Sequence, residues 1–349
     1  MTEIKSNKQK NWVKTGKEIL ELELQSVPLL VEPILQKYGT ASLAGSSDLG
    51  KSFFLLQLAD NIINGADDFL GFKLNATHKS AIYLSTEDDE YNICPRLMNL
   101  AGAKEDKSAY DNLRVIFETT DLVKRLDTLL AEKPADLVII DTFSDIFDGD
   151  MNQANKVRSF IQQFKELSVK YKTLIIFNHH CGKKNDYKTP HKDNLLGSQG
   201  FESSMRTVFE LRKDFHNPSL RHLCVVKGNY LSEEYKNSSF ALNFSFDKGF
   251  SNSGDRVMFD KLVKVDGEKA TNDKLLETKR VIELKNEGLS YEKIAAQMKS
   301  EGFKIGKSKA QQLFAHALKH PSIHNLLDDC IEMDDSEVED FDVELDDAA

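Results

Sequence analysis

The 349-residue chain contains no apolar run approaching the ~20 residues that cross a bilayer, so no membrane span is expected. Its opening residues, Met1-Thr-Glu-Ile-Lys-Ser-Asn-Lys, lack the apolar segment of a secretion signal. Cysteine is sparse. Cys94, Cys181, Cys224 and Cys330 lie far apart and form no CxxC pair, a pattern that fits a reducing cytoplasm. No internal repeat is found, and no low-complexity tract outside an acidic C-terminus. Apolar residues, at 40%, suffice for a full core, and the length allows one large domain plus a small one.

Charge is abundant but unevenly placed. The net charge is −10, yet residues 328–349 carry twelve acids and no base. With those twelve set aside, 44 acids face 46 bases, and the body is about +2. Within it, residues 272–320 hold ten Lys/Arg against six Asp/Glu. The expected organisation is a near-neutral core, a basic C-terminal module and an acidic tail too poor in apolar residues to fold.

Residues Gly45-Ser-Ser-Asp-Leu-Gly-Lys-Ser52 fit G-x-x-x-x-G-K-[ST] without a mismatch. A short β-type run, Ala41 to Ala44, precedes them, and an apolar helical run, Phe53 to Ile63, follows. The chemistry needs all three parts. Backbone N–H groups of Gly45, Ser46, Ser47, Asp48, Leu49, Gly50, Lys51, Ser52 and Phe53 can wrap a phosphate, and the two glycines permit the close approach. The helix N-terminus adds partial positive charge. Lys51 can reach the β/γ-phosphates of ATP, and the Ser52 hydroxyl can ligate Mg²⁺.

Downstream, Ala81 to Ser85, Leu113 to Phe117, Asp136 to Asp141 and Thr173 to Phe177 read as buried strands. They alternate with helical spacing over about 90–101, 121–131 and 153–171. That alternation predicts an α/β fold, a mostly parallel sheet with helices on both faces. Ligands in such sheets bind at the carboxyl ends of the strands. Thr207 to Leu211, His222 to Val226 and Phe240 to Phe246 suggest an antiparallel extension. Residues 182–196 form a long polar loop, and 247–273 read as a linker around a short strand, 257–263. A short helix is expected over 14–24.

Polar residues gather at the strand ends. Asp141, after four apolar residues, has the Walker B pattern and can hold the Mg²⁺ water shell beside Ser52. Thr142 stands where many P-loop ATPases carry a catalytic Glu, so another base is needed. Glu87, in the cluster Glu87-Asp-Asp-Glu90 at the end of a different strand, is the candidate, with Asp88 as its nearest substitute. The competing reading is a charged helix start. His179 could sense the γ-phosphate; Asn178 and His180 compete for that role, and a histidine satisfied in the core is the alternative. A zinc site from His179, His180, Cys181 and Cys224 lacks ligand spacing.

These residues together resemble the RecA-like ATPases of the plasmid RepA hexameric-helicase type, within the wider family of RadA- and KaiC-like proteins. The resemblance rests on Gly45–Ser52, Ser85-Thr-Glu-Asp88, Val138-Ile-Ile-Asp141 and Phe177-Asn-His-His180. Gly197-Ser198, Arg206 and Val226-Lys-Gly-Asn-Tyr230 extend it over roughly residues 28–231. It implies a water-activating Glu87, a sensor His179, and an Arg206 that reaches into a neighbouring subunit's site. Lys227 matches a lysine used across the same interface. It also implies ATP and Mg²⁺ as cofactors and a homo-oligomer, with a hexamer favoured. Asp48 departs from it, since that loop position is usually neutral.

The expected domains are an N-terminal segment (1–27), the ATPase domain (28–250), a linker (251–273), a helix-turn-helix or winged-helix-like DNA-binding module (274–321) and the tail (322–349). In the module, Lys304, Lys307, Ser308, Lys309 and Gln312 are candidate DNA contacts. A basic helical protein–protein module is the competing reading. The function expected is ATP hydrolysis coupled to DNA, as a RepA-type helicase or a replication or mobile-element ATPase. Single strands would pass through the ring or duplex would bind at 274–320. The alternative is a nucleotide-switched DNA-binding regulator, or a defence or loader component with slow turnover.

Overall fold

A strand covered by helices on both faces is apolar at every position, not at every second one. Ala81–Leu84 and Leu137–Ile140 meet that condition, and all five residues of Ala81–Ser85 and of Leu137–Asp141 are buried. The computed structural model describes residues 13–182, 185–197, 199–215, 217–264, 268–301, 303 and 305–319, with 268–276 and 316–319 as backbone only. In it these two runs lie inside a nine-stranded sheet.

The strands are β1 (Gly39–Gly45), β2 (Ala81–Ser85), β3 (Leu113–Ile116), β4 (Leu137–Asp141), β5 (Leu174–His180), β6 (Thr207–Lys213), β7 (Leu220–Gly228), β8 (Ser238–Ser245) and β9 (Gly249–Met258). Their order is β9-β8-β7-β6-β1-β5-β4-β2-β3. From β6 to β3 every pairing is parallel. From β6 to β9 every pairing is antiparallel. The α/β fold expected from sequence, a parallel sheet with an antiparallel extension, is therefore the one observed.

Helices α1 (Lys51–Ile63) and α2 (Glu90–Ala101) cover one face. Helices α3 (Leu122–Glu132), α4 (Ala154–Tyr171) and α5 (Gln199–Ser204) cover the other. Side-chain direction along the central strands follows from the two cores. Leu137, Ile139, Leu174 and Ile176 lie in the α1-side core; Val138, Ile140, Ile175 and Phe177 lie in the opposite one. Because successive side chains alternate, Asp141, Asn178 and His180 belong to the α1 face and His179 to the other.

Several local expectations are corrected. The helix over 14–24 shortens to one turn, Gly16–Leu20, closed by a capping box between Thr15 and Glu18 and burying no residue. β5 does not stop at Phe177 but continues through His180. β9 occupies 249–258, where composition suggests a linker, and a 3-10 turn, Phe259–Leu262, replaces the short strand expected there. The polar loop after β5 contains 3-10 turns at Asn185–Tyr187 and Lys192–Asn194.

The chain divides into two compact units, 1–264 and 265–349. The second contains α6 (Glu268–Asn286), α7 (Tyr291–Ser300) and α8 (Lys307–Lys319). Val281, Leu284, Ile294, Met298, Ile305, Ala310 and Leu313 form its own core. Gly288 follows α6 at φ +78°, a left-handed stop that glycine adopts without a steric penalty. Ser290 takes the N-cap position of α7 but makes no side-chain cap. The acidic tail, Cys330, Lys304, Ser198 and the first twelve residues lie outside the described residues. Among the described residues no helix is long and apolar enough to cross a membrane.

Candidate nucleotide site

The loop between β1 and α1 carries the glycine signature, and two of its glycines are there for different reasons. A Cβ on Gly45 would stand 2.7 Å from the Leu211 carbonyl oxygen. Gly50 takes φ +85°, and a Cβ there would meet the Phe244 ring at 2.7 Å. Asp48 also lies in the left-handed region, at φ +61°. Aspartate is among the few non-glycine residues that tolerate that conformation. Its side chain is exposed, so the departure from the usual loop has a backbone rationale.

Lys51 is buried and donates to the Ser46 carbonyl oxygen at 2.7 Å. Burial lowers its pKa, while Asp141, Cys181, Glu87 and Asp48 pull it back up. The ammonium therefore sits inside the loop among carboxylates at the strand ends. Behind the loop, Arg221 donates to the Leu49 carbonyl oxygen at 3.3 Å and lies 5.3 Å over the Phe244 ring. Neither brace is recognisable from local sequence.

Asp141 ends β4, two strands from β1 and hence about 10 Å away across the sheet. It is buried, and both carboxylate oxygens are occupied. Tyr83 donates to Oδ2, and Asn178 Nδ2 donates to Oδ1 at 2.5 Å. Burial, then the Asp141 charge, raises the Tyr83 pKa well above its ordinary value, so the phenol remains a donor. Thr86 ties the strand ends together, with its amide donating to the Asp141 carbonyl oxygen at 2.7 Å and its hydroxyl accepting from the Thr142 amide at 2.9 Å.

The cluster 87–90 divides by role. Asp89 caps α2 by accepting from the Asn92 amide at 3.0 Å. Asp88 pairs with Arg96 at 2.6 Å. Glu87 takes part in neither; it is exposed, and its Oε1 lies 3.9 Å from His180 Nε2. His179 lies elsewhere. It stacks on Phe201 at 4.2 Å, meets Phe143 edge-on, and shares a 2.7 Å hydrogen bond with the Leu196 carbonyl oxygen. Burial lowers its pKa to about 4. The structure brings His180, not His179, to the side of Glu87.

Arg206 and Lys227 lie together, away from the loop. The Arg206 amide bonds the Thr40 carbonyl oxygen, near the start of β1. Thr40 to Gly45 spans about 17 Å of strand, too far for Arg206 to reach its own phosphate loop. Lys227 pairs with Glu202 at 2.8 Å. Lys165 is close enough to both that, after burial, Arg206, Lys227 and Arg158 lower its pKa.

The loop after β5 is anchored by a buried carboxylate that no local pattern singles out. Glu210 on β6 accepts from Asn185 Nδ2 at 2.6 Å, the His191 amide at 3.2 Å and Asn194 Nδ2 at 3.2 Å. It also pairs with the buried Arg212 at 2.5 Å.

The residues fit a hydrated Mg²⁺. Ser52 and Asp141 are hard oxygen donors, and Asn178 Oδ1 is a buried acceptor without a partner among the described residues. Among the described residues no group of three or more His, Cys, Asp or Glu could hold a metal, so the zinc alternative finds no support.

A glycine loop between a parallel strand and a helix, with its lysine and an acid two strands away, defines a P-loop nucleotide-binding domain. A family model described as AAA domain matches residues 8–186, more than half of the chain, and the chain belongs to that family. It is accordingly a P-loop ATPase. A solved ATPase domain is similar over 62% of this chain and 85% of that one, at 14% identity and a TM-score of 0.47. No curated protein matches the chain.

Proposed function

We propose that this ATPase hydrolyses ATP while acting on DNA in the cytoplasm, as a head-to-tail ring of the RepA helicase type. In this reading the loop amides and Lys51 bind the β/γ-phosphates, and Lys51 exchanges the Ser46 carbonyl for a phosphate oxygen. Ser52 and Asp141 would hold Mg²⁺, which neutralises phosphate charge when bound. Glu87 orients and deprotonates the attacking water, since Thr142 cannot and Asp88 and Asp89 are engaged at the helix start. His180, facing Glu87, is a better sensor of the bound phosphate than the core-packed His179.

The observation that carries the oligomeric part is the separation of Arg206 and Lys227 from their own phosphate loop. Both cations sit near the opposite end of the sheet, on one surface with Lys165. Facing a second copy's loop, they would supply charge to the transition state only on assembly. A contact between two different surfaces of identical chains closes into a ring or extends as a filament. The basic helical unit 274–320 supplies a duplex-binding surface. Ser308 and Gln312 are exposed there, while Lys307 and Lys309 form ion pairs with Glu292 and Glu277. Exposed pairs of this kind are weak enough to be exchanged for phosphates.

The test is ATPase rate with and without single-stranded DNA, together with mass in solution with ATP. Stimulation in a ring supports the motor. Duplex-specific binding with negligible turnover supports a nucleotide-switched regulator. Mixing Arg206→Ala chains with Lys51→Ala chains should restore part of the activity that each lacks alone; no restoration refutes the shared site.

A further inference from the structure

Asp141, the carboxylate assigned to the ion, spends both oxygens on two neutral buried donors, Tyr83 and Asn178. These come from the strands on either side of β4. β2 supplies Tyr83, in a register where Ser85 faces Asp141, and β5 supplies Asn178, one residue beyond the pairing of Ile140 with Phe177.

The orientation of the Asn178 amide is decided by its partner. A carboxylate only accepts, so Nδ2 must face Asp141 and Oδ1 must face away. Asn178 is 3% exposed, and its Oδ1 has no hydrogen-bond partner among the described residues. A buried, unpaired amide oxygen is costly, because it has given up water and gained no donor. Such a cost is explained when a ligand present during function supplies the missing donor. β5 lies between β4 and the strand that leads into the phosphate loop. Asn178 therefore occupies the strand between Asp141 and the loop, on the face that carries α1. No donor of the described residues reaches Oδ1; a water in the shell of a divalent ion can.

We propose that Tyr83 and Asn178 are positioning residues for the divalent ion. Together they fix the Asp141 carboxylate, and Asn178 Oδ1 accepts a hydrogen bond from a water of the ion's hydration shell. The proposal rests on the reading of Ser52 and Asp141 as the Mg²⁺ site. It assigns both residues to metal affinity rather than to nucleotide contact. Outer-shell partners of this kind alter metal affinity by roughly 10–100-fold when removed.

The experiment uses the full chain and three variants, Tyr83→Phe, Asn178→Leu and, should leucine misfold, Asn178→Ala. Mn²⁺ affinity is measured by electron paramagnetic resonance in the presence of ADP, and ADP affinity is measured separately in EDTA. The expected result is a roughly tenfold or greater loss of Mn²⁺ affinity, with metal-free ADP affinity within about twofold of wild type. Equal losses of both affinities would mean that the residues only support the fold, and the proposal fails. Unchanged Mn²⁺ affinity also overturns it. A wild-type chain that binds ADP no better with Mn²⁺ than without overturns the magnesium-site reading itself, and this inference with it.

Discussion

Replacing Glu210 by glutamine should destabilise the first unit by about 3–5 kcal/mol. Glu210 is fully buried and its partner Arg212 is 2% exposed. The guanidinium also donates to the carbonyl oxygens of Lys188 and Leu262, so it cannot swing to solvent without breaking both bonds. Glutamine keeps the shape but leaves Arg212 as an uncompensated buried charge. For a unit of this size, a loss of that magnitude lowers the melting temperature by roughly 10 °C, and it can be followed by circular dichroism. Glutamine offers one acceptor oxygen where Glu210 offers two, so either Asn185 or the pair made by the His191 amide and Asn194 loses its acceptor at the same time, and proteolytic cleavage within 185–197 should accelerate well below the melting transition. Replacing both members, Glu210→Leu with Arg212→Met, should recover much of the loss, because the desolvation cost disappears with the charges. A Glu210→Gln protein that melts within about 2 °C of wild type, with an unchanged cleavage pattern, would refute the reasoning.

Glu87→Gln should lower the hydrolysis rate by roughly 10²–10⁴-fold with nucleotide affinity retained; the same effect from Asp88→Asn in its place would transfer the role. His179 has a folded pKa of about 4, below the ordinary 6.5, so the unfolded chain binds more protons between those values. Its stabilising contribution is complete above pH 6.5 and is lost as pH falls toward 4, a swing of up to about 3 kcal/mol. Urea midpoints at about pH 7 and about pH 4.5 should therefore differ less in His179→Gln than in wild type, and equal differences would contradict the assignment. Deleting residues 328–349 should raise DNA affinity at low salt, and unchanged binding across a salt titration would rule out competition by the tail.

The parts legible in the sequence are those set by local pattern. β2 and β4 are solid apolar runs because both faces are covered, and the phosphate loop keeps its spacing because backbone geometry demands it. What stays hidden depends on register. Tyr83 and Asp141 are 58 positions apart, Asn178 and Asp141 37 apart, and only the parallel pairing makes them neighbours. The orientation of His179 turns on where β5 ends: reading it to Phe177 leaves the alternation of 178–180 undetermined. β9 is obscured for the opposite reason. As an edge strand it exposes most of its residues, and Gly249-Phe-Ser-Asn-Ser-Gly-Asp shows no apolar alternation. The loop after β5 reads as unstructured because its anchor, Glu210, lies on β6, 16 to 25 positions beyond the loop residues it holds.

The brace behind the phosphate loop separates two boundaries that are easily treated as one. The family match ends at residue 186, yet Arg221 and Phe244, which hold Leu49 and Gly50 from behind, come from β7 and β8. Gln57 of α1 is likewise bonded in both directions to the backbone of Phe250 on β9. The stretch that is inherited as a recognisable unit is therefore shorter than the stretch that must fold as one. A chain ending at 186 would keep every residue of the nucleotide signature and lose the wall against which its loop is shaped.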